Sequence, residues 1–123
     1  MAECNERLGY YHGAEVWERF NKVFDYLSLA AVIGGRVFCV HGGLGPDTVS
    51  IREIETLSKP ISYVEPPFSA QMPPQFVRMN RMLMQLLWCD PADNDSTVGT
   101  FADNPLRTGG NPSLGIFKFT SHV

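Results

Sequence analysis

Cysteine is scarce in this sequence. The 123 residues contain only Cys4, Cys39 and Cys89, an odd number at wide spacing and without a C-x-x-C pair. This pattern excludes a disulfide framework and a cysteine-based zinc cage. We therefore expect reduced thiols and a cytoplasmic or nuclear location.

Basic charge and long apolar runs are lacking as well. The chain has 10 Lys and Arg residues against 13 Asp and Glu residues. A nucleic-acid binder needs a basic stripe to neutralise phosphates, so we expect no nucleic-acid partner. No apolar run could cross a bilayer and the N-terminus has no secretory core, so we expect no membrane partner. The hydrophobic content of 44% indicates a globular chain, the size of one domain or one lobe.

Hydrophobic periodicity predicts three helices, over 14–27, 47–57 and 75–88. The first starts after Gly13 and carries an apolar face that we expect to be buried. That face consists of Val16, Phe20, Val23, Phe24 and Leu27. Asp47 is the expected N-cap of the second helix. Methionines in and before the third helix are interpreted as soft core packing rather than as a cofactor pocket.

Two apolar runs, 29–33 and 36–40, predict a β-hairpin. They are joined by Gly34-Gly35, which suits a type I′ turn because both central residues need positive φ. Since both runs are apolar at nearly every position, we expect both faces of these strands to be covered. Residues 58–74 contain five prolines and are predicted to be irregular. The last third of the chain is loop-like, with a strand expected at 115–119.

The second strand runs into the segment RVFCVHGGLGP, residues 36–46. A histidine followed by two glycines at the carboxyl end of a buried strand is where open sheets place ligand sites. Neutral imidazole is the commonest protein metal ligand, so His41 is a candidate metal ligand. The alternative is a histidine satisfied by a backbone carbonyl at a tight turn.

A second segment, LLWCDP at 86–91, places Asp90 directly before Pro91. One interpretation is a carboxylate held near a cationic centre. The other is a helix end with an Asx-type turn before proline, which is common.

Together, FCVHGGLGP and LLWCDP resemble the HGGLSP and LLWSDP motifs of the phosphoprotein phosphatase family of serine/threonine phosphatases. The segment AECNERLG looks like that family's DEC helix, and residues 17–43 follow its W-x-x-F to H-G-G pattern nearly throughout. The resemblance implies an α/β (α+β) fold, a calcineurin-like metallophosphoesterase β-sandwich flanked by helices. Residues 1–123 would form only part of that catalytic domain, with a proline-rich insertion at about 58–81.

The resemblance also implies chemistry and roles. The family hydrolyses phosphoserine and phosphothreonine esters with two divalent metal ions, for which Mn, Fe or Zn would suit a His/Asp/Asn site. His41 corresponds to a metal ligand and Asp90 to a supporting residue beside the centre. The implied partners are phosphorylated protein substrates and regulatory subunits.

The departures from the family pattern limit this expectation. The D-x-H, GDxxDRG and GNHE motifs, which supply most metal ligands, do not occur in the sequence. For the phosphate-binding arginine two alignments compete, one giving Arg107 and the other giving Ser113 or Leu114. His122 falls too early to replace the family's last metal histidine and is interpreted as an exposed terminal residue.

Three hypotheses for the function follow. The first is a part of a serine/threonine phosphatase, with no activity expected from this chain by itself because it offers one metal ligand. The second is a non-enzymatic, truncated paralogue that acts as a protein-interaction module. The third is another metallophosphoesterase, such as a dinucleotide polyphosphate hydrolase, against which the LLWCDP match counts.

Overall fold

The computed structural model describes residues 1–48, 50–62, 64, 66, 68–93, 101–110 and 115–119. The elements of this described part are α1 (Ala2–Leu8), α2 (Tyr10–Phe24), β1 (Ala30–Ile33), β2 (Val37–Val40), α3 (Ile51–Glu55), α4 (Pro74–Trp88), β3 (Asp90–Pro91), β4 (Phe101–Asp103), α5 (Pro105–Thr108) and β5 (Phe117–Phe119). This mixture of helices and strands confirms the α/β class. Two compact units are formed, Met1–Ser28 with Leu57–Ser62, and Leu29–Thr56 with Tyr63–Val123. None of the helices in this part of the chain is both long and apolar enough to cross a membrane.

Helices α1 and α2 make up most of the first unit. They meet at Gly13, which is buried, and a Cβ there would lie 2.5 Å from the backbone of Asn5. Only glycine permits so close an approach. The prediction that a helix starts after Gly13 was therefore wrong, because Gly13 is a contact residue inside α2. The helix also ends earlier than predicted, at Phe24.

The apolar face predicted for this helix is present, but the described residues do not bury it. Phe20, Val23 and Phe24 are each more than half exposed, at 55%, 56% and 56%. The expectation of a buried face was wrong for the described structure. Local support for α2 comes from ion pairs at i,i+4 spacing, each of which contributes a few tenths of a kcal/mol. These pairs are Glu15–Arg19 and Glu18–Lys22.

Residues 57–62 complete the first unit. The Ile61 N–H donates to the Asp25 carbonyl at 2.6 Å, and Lys59 Nζ donates to the Tyr26 carbonyl at 2.8 Å. Both carbonyls follow the last residue of α2, where no further turn of helix is present to satisfy them. The beginning of the proline-rich stretch is thus held at the end of α2.

Strands β1 and β2 form the predicted antiparallel hairpin. Gly34 and Gly35 have φ of 58° and 65°, as a type I′ turn requires. The expectation that both strand faces are covered was wrong. In the part of the chain that the structure describes, these strands pair with each other alone, and Val32, Ile33 and Val37 are exposed.

Helix α3 is shorter than the predicted 47–57, and its N-cap is Ser50 rather than Asp47. The Asp47 carboxylate instead accepts a hydrogen bond of 2.6 Å from Gln85 Nε2 in α4. The Asp47 carboxylate, which local capping rules assign to the N-terminus of α3, therefore bonds instead to Gln85, which is distant in sequence.

Helix α4 confirms the third predicted helix and begins with Pro74, a residue suited to the first helical turn. The last third of the predicted insertion 58–81, from Pro74 onward, is therefore helical. Met82 and Met84 are buried, which confirms their interpretation as core residues. Asn80 is also buried, and its Oδ1 accepts the Val64 N–H at 2.6 Å. This bond ties the irregular part of the stretch to α4.

A three-stranded sheet follows, in the order β3-β5-β4, with β3 parallel and β4 antiparallel to β5. Strand β5 lies inside the predicted 115–119, whereas β3, β4 and α5 were not predicted. The core beside this sheet contains Met84, Cys89 and Ile116, with Phe117 and Phe119 packed against it.

Candidate functional site

The loop 41–47 follows β2 and packs against the C-terminal half of α4. The Gly42 N–H donates to the Leu86 carbonyl at 2.8 Å. This bond satisfies a carbonyl in the last turn of α4, which has no partner within the helix. The His41 side chain is exposed. The histidine thus lies at the surface, on a loop joined to the helix that precedes Asp90.

The two glycines after His41 are required by packing. A Cβ on Gly42 would lie 2.6 Å from the backbone carbonyl carbon of Leu87, and a Cβ on Gly43 would collide with the Phe119 ring. Neither glycine is among the residues with positive φ. Their bare backbone therefore admits α4 and β5, and the turn itself does not demand glycine.

Asp90 lies in β3 and is bound by two side chains. Arg107 makes a two-point contact, with Nε donating to Oδ2 at 2.9 Å and Nη2 donating to Oδ1 at 3.1 Å. Asn104 Nδ2 donates to the same Oδ2 at 2.9 Å. The Arg107 guanidinium also lies over the Trp88 ring, 5.7 Å from its centroid. Such two-point, charge-assisted contacts fix the orientation of both partners.

These contacts favour the charged forms of both groups. The hydrogen bond from Arg107, followed by that from Asn104, lowers the pKa of Asp90 below its ordinary value. The hydrogen bond to Asp90 raises the pKa of Arg107. Asp90 is therefore a carboxylate at neutral pH and is unsuited to donate a proton.

Cys89, next to Asp90, is fully buried. Burial raises the pKa of its thiol to about 11, while the Phe117 N–H, which donates to Sγ at 3.2 Å, acts in the opposite direction. The thiol is therefore protonated at neutral pH, which makes it a poor nucleophile. Cys89 is therefore a core residue and not a reacting group of the site.

The structure brings two of the predicted site residues, Asp90 and Arg107, into direct contact. The cation beside Asp90 in the described structure is the Arg107 guanidinium, and a role of Asp90 beside a metal centre stays a prediction. Among the described residues the His41 side chain makes no hydrogen bond or ion pair with Asp90 or Arg107; its loop is connected to Asp90 through the Gly42–Leu86 hydrogen bond and the end of α4. Ser113, Leu114 and His122 lie outside the described residues.

Sequence reasoning missed Asn104 and Trp88. Asn104 is the N-cap of α5 and is fully buried. The dipeptide Asn104-Pro105, an N-cap followed by proline at the first helical position, was the available signal. Trp88 stands in the LLWCDP motif, but nothing in the sequence pairs it with Arg107, 19 positions further along the chain.

The described residues do not form a complete metal site by themselves. In the described part of the chain no three His, Cys, Asp or Glu side chains form a group that could hold a metal ion. Asn104 Oδ1 is buried without a hydrogen-bond partner there, yet its Nδ2 is committed to Asp90. A bound transition metal needs three or more protein ligands, and His41 alone cannot supply them.

The calcineurin-like phosphoesterase family matches residues 1–114. The chain is 41% identical over 116 residues to the serine/threonine-protein phosphatase 4 catalytic subunit of Kluyveromyces lactis, covering 92% of this chain and 32% of that protein. It is 37% identical over 97 residues to the serine/threonine-protein phosphatase BSL2 of Arabidopsis thaliana, covering 79% of this chain and 8% of that protein. It thus spans a third or less of these relatives. With the family matched over nearly all of its residues, the chain belongs to the calcineurin-like phosphoesterases.

Proposed function

We propose that this chain supplies part of the catalytic centre of a serine/threonine protein phosphatase, which hydrolyses phosphoserine and phosphothreonine esters. The observation that carries the proposal is the hydrogen bond from the Gly42 N–H to the Leu86 carbonyl. It joins HGGLGP to LLWCDP, two segments far apart in sequence. The relatives named above, which are serine/threonine phosphatases, support the same function.

His41 is the proposed metal ligand. Its side chain is exposed, on a loop whose backbone is tied to α4, so it is both accessible and held in place. When bound, two divalent ions would activate water and neutralise phosphoryl oxygens. Mn, Fe and Zn all suit an imidazole-containing site. The remaining ligands would come from outside the described residues.

Arg107 is the proposed phosphate-binding residue, and Asp90 orients it. A guanidinium has five N–H donors, of which Asp90 takes one on Nε and one on Nη2. Within the residues that the structure describes, the two donors on Nη1 and the second on Nη2 have no partner, so they can bind phosphate oxygens. Because Asp90 and Trp88 hold the guanidinium plane, little rotamer entropy is lost when phosphate binds.

The proposed partners are phosphorylated proteins and regulatory subunits. The phosphatase 4 relatives are named as catalytic subunits, which supports the existence of such partners. Three free cysteines suit a reducing compartment, so we place the protein in the cytoplasm or nucleus.

We expect the chain by itself to be inactive, because one histidine cannot hold two cations. A second candidate function, a non-enzymatic interaction module, is favoured by one observation, the exposed apolar face of α2. A metal-free chain that folds cooperatively as a monomer would support this second candidate.

The test uses the protein expressed from its whole reading frame, assayed with a phosphoserine peptide and Mn²⁺. We expect His41→Ala to lose most of the turnover and to bind less metal, measured by calorimetry. His12→Ala is the matched control, because His12 is an exposed histidine in α2, and it should leave both quantities unchanged.

Two results would count against this proposal. Unchanged turnover and metal binding in His41→Ala would remove His41 from the ligand set. If the wild-type protein releases no phosphate from the peptide, whether or not it binds Mn²⁺, the proposed phosphatase function is wrong.

A further inference from the structure

Gln85 is a polar side chain buried among apolar residues, where hydrophobic packing alone would favour an apolar one. It lies in α4 between Met84 and Leu86, and all three are buried. A buried amide is costly unless its donor and acceptor are both satisfied. Its presence in the middle of an apolar helix face therefore requires a specific partner.

That partner is Asp47, at the end of the loop 41–47. Gln85 Nε2 donates to Asp47 Oδ2 at 2.6 Å, and the Asp47 backbone N–H donates to Gln85 Oε1 at 3.1 Å. The two hydrogen bonds run in opposite directions between one amide and one residue. This reciprocal pair fixes both the side chain and the backbone of Asp47 relative to α4.

Two arginines of α4 reinforce the same position. Arg78 Nη2 donates to the Asp47 carbonyl at 2.9 Å and to Glu53 of α3 at 2.9 Å. Arg81 Nε lies 3.2 Å from Asp47 Oδ2, an ion-pair contact. The Asp47 side chain is only 17% exposed, so these contacts act in a partly dry environment.

The loop between His41 and Asp47 is thereby held at both ends. At one end the Gly42 N–H donates to the Leu86 carbonyl. At the other end lies the reciprocal pair, and between them a Cβ on Gly45 would collide with the Gln85 side chain. All three contacts are made with two consecutive residues of α4, Gln85 and Leu86, so a shift of the loop along the helix would break them together.

We propose that the pair of Gln85 and Asp47 is the device that positions His41, which makes both of them positioning residues for the centre. The link to His41 chemistry rests on the proposed function, whereas the mechanical link between the pair and the loop does not. Without the pair, the loop is held to α4 by the Gly42 bond and the Arg78 bond to the Asp47 carbonyl, and the imidazole samples a wider range of positions.

Asparagine and alanine at position 47 separate this role from a purely structural one. Asp47→Asn keeps an oxygen that accepts from Gln85 Nε2 and keeps the backbone N–H, so the reciprocal pair survives. Asp47→Ala removes the acceptor and leaves the buried Gln85 Nε2 without its Asp47 partner. Because the lost hydrogen bond involves a charged group, we expect the equilibrium constant for opening of the loop 41–47 to rise about tenfold or more.

The experiment compares both variants with wild type in protein expressed from the whole reading frame. Hydrogen exchange is measured at the Gly42 amide, together with the apparent Mn²⁺ affinity and the phosphopeptide kcat and KM, at a temperature where every variant is folded. For Asp47→Ala we expect exchange at Gly42 to rise about tenfold and Mn²⁺ affinity and kcat to fall. For Asp47→Asn we expect values near wild type.

Met82→Ala is the matched destabilised control, because Met82 is buried in the same helix but is not part of the pair. It should lower the unfolding midpoint without changing Gly42 exchange or Mn²⁺ affinity. Unchanged Gly42 exchange in Asp47→Ala, or an equal loss of Mn²⁺ affinity in Met82→Ala, would overturn the proposal. A wild type without metal binding or turnover would overturn the proposed function, and Gly42 exchange would still decide whether the pair holds the loop.

Discussion

At the residue scale, the contacts of Asp90 suit a supporting role rather than a reacting one. Its carboxylate accepts three hydrogen bonds, two from Arg107 and one from Asn104. Those bonds stabilise the ionised form, so acid or base catalysis by Asp90 near neutral pH is disfavoured. In the proposed function, its contribution is to orient the permanently charged Arg107 guanidinium.

The first prediction concerns the pH dependence of stability. Because the pKa of folded Asp90 lies below its ordinary value of 3.8, the stabilisation from this carboxylate is fully present above that value and is lost as the pH falls through the lower, folded pKa. We expect Asp90→Asn to be less stable than wild type at neutral pH, with the difference shrinking below a pH of about 4. Urea unfolding at a series of pH values measures it.

The control for this comparison is Asp103→Asn, which removes an exposed carboxylate from the neighbouring strand β4 without touching Arg107. A difference between wild type and Asp90→Asn that is the same at acid and neutral pH would contradict the prediction.

At the element scale, the long periodic segments were predictable and the short ones were not. Helix α4 and the Gly34-Gly35 hairpin carry enough local signal to be read directly from the sequence. Strand β4 has three residues and α5 has four, too few for a periodic pattern. They are held by long-range contacts, such as the Asn104 N–H donating to the Ile116 carbonyl at 3.1 Å.

The candidate site divides in the same way. His41 and Asp90 are predicted site residues because they stand in recognisable motifs, and Arg107 is one because one of two alignments gives it; their roles stay predictions. The role of Asp47 was predicted wrongly, since local capping rules cannot see Gln85, 38 positions away in the chain. Pairings at that distance depend on how α4 packs against the loop, which no local pattern encodes.

The second prediction tests the packing of loop 41–47 against β5. In Gly43→Ala the new methyl group would collide with the Phe119 ring, so we expect a loss of roughly 1–3 kcal/mol in the free energy of unfolding. Adding Phe119→Leu removes the ring and should recover part of this loss. A double-mutant cycle in urea measures the coupling between the two positions.

Phe119→Leu by itself serves as the reference for the lost ring packing. Independent, additive effects of the two substitutions would contradict the contact on which the prediction depends.

At the scale of the whole molecule, the first unit and the hairpin each have an apolar face that the described residues leave exposed to solvent. Residues of α2 that share one face are exposed by about half, and the rings of Phe20 and Phe24 lie 6.2 Å apart. The hairpin adds exposed Val32, Ile33 and Val37. Contiguous apolar surface of this kind favours association, and unpaired strand edges add to it.

The last prediction follows from that surface. When these 123 residues are expressed alone, we expect concentration-dependent association and binding of a hydrophobic dye. The reason is that removing apolar surface from water lowers the free energy, and contact between two apolar faces does this. The double variant Phe20→Glu with Phe24→Glu places two charges in the face, and burying them unpaired would oppose association. Sedimentation velocity over a concentration series, with dye fluorescence in parallel, should therefore show the variant as a smaller species that binds less dye.

Tyr11→Glu adds a charge to an exposed aromatic position outside this face and should behave like wild type. A wild-type chain that stays monomeric at every concentration, or a double variant that associates as strongly as wild type, would show that this face does not drive association.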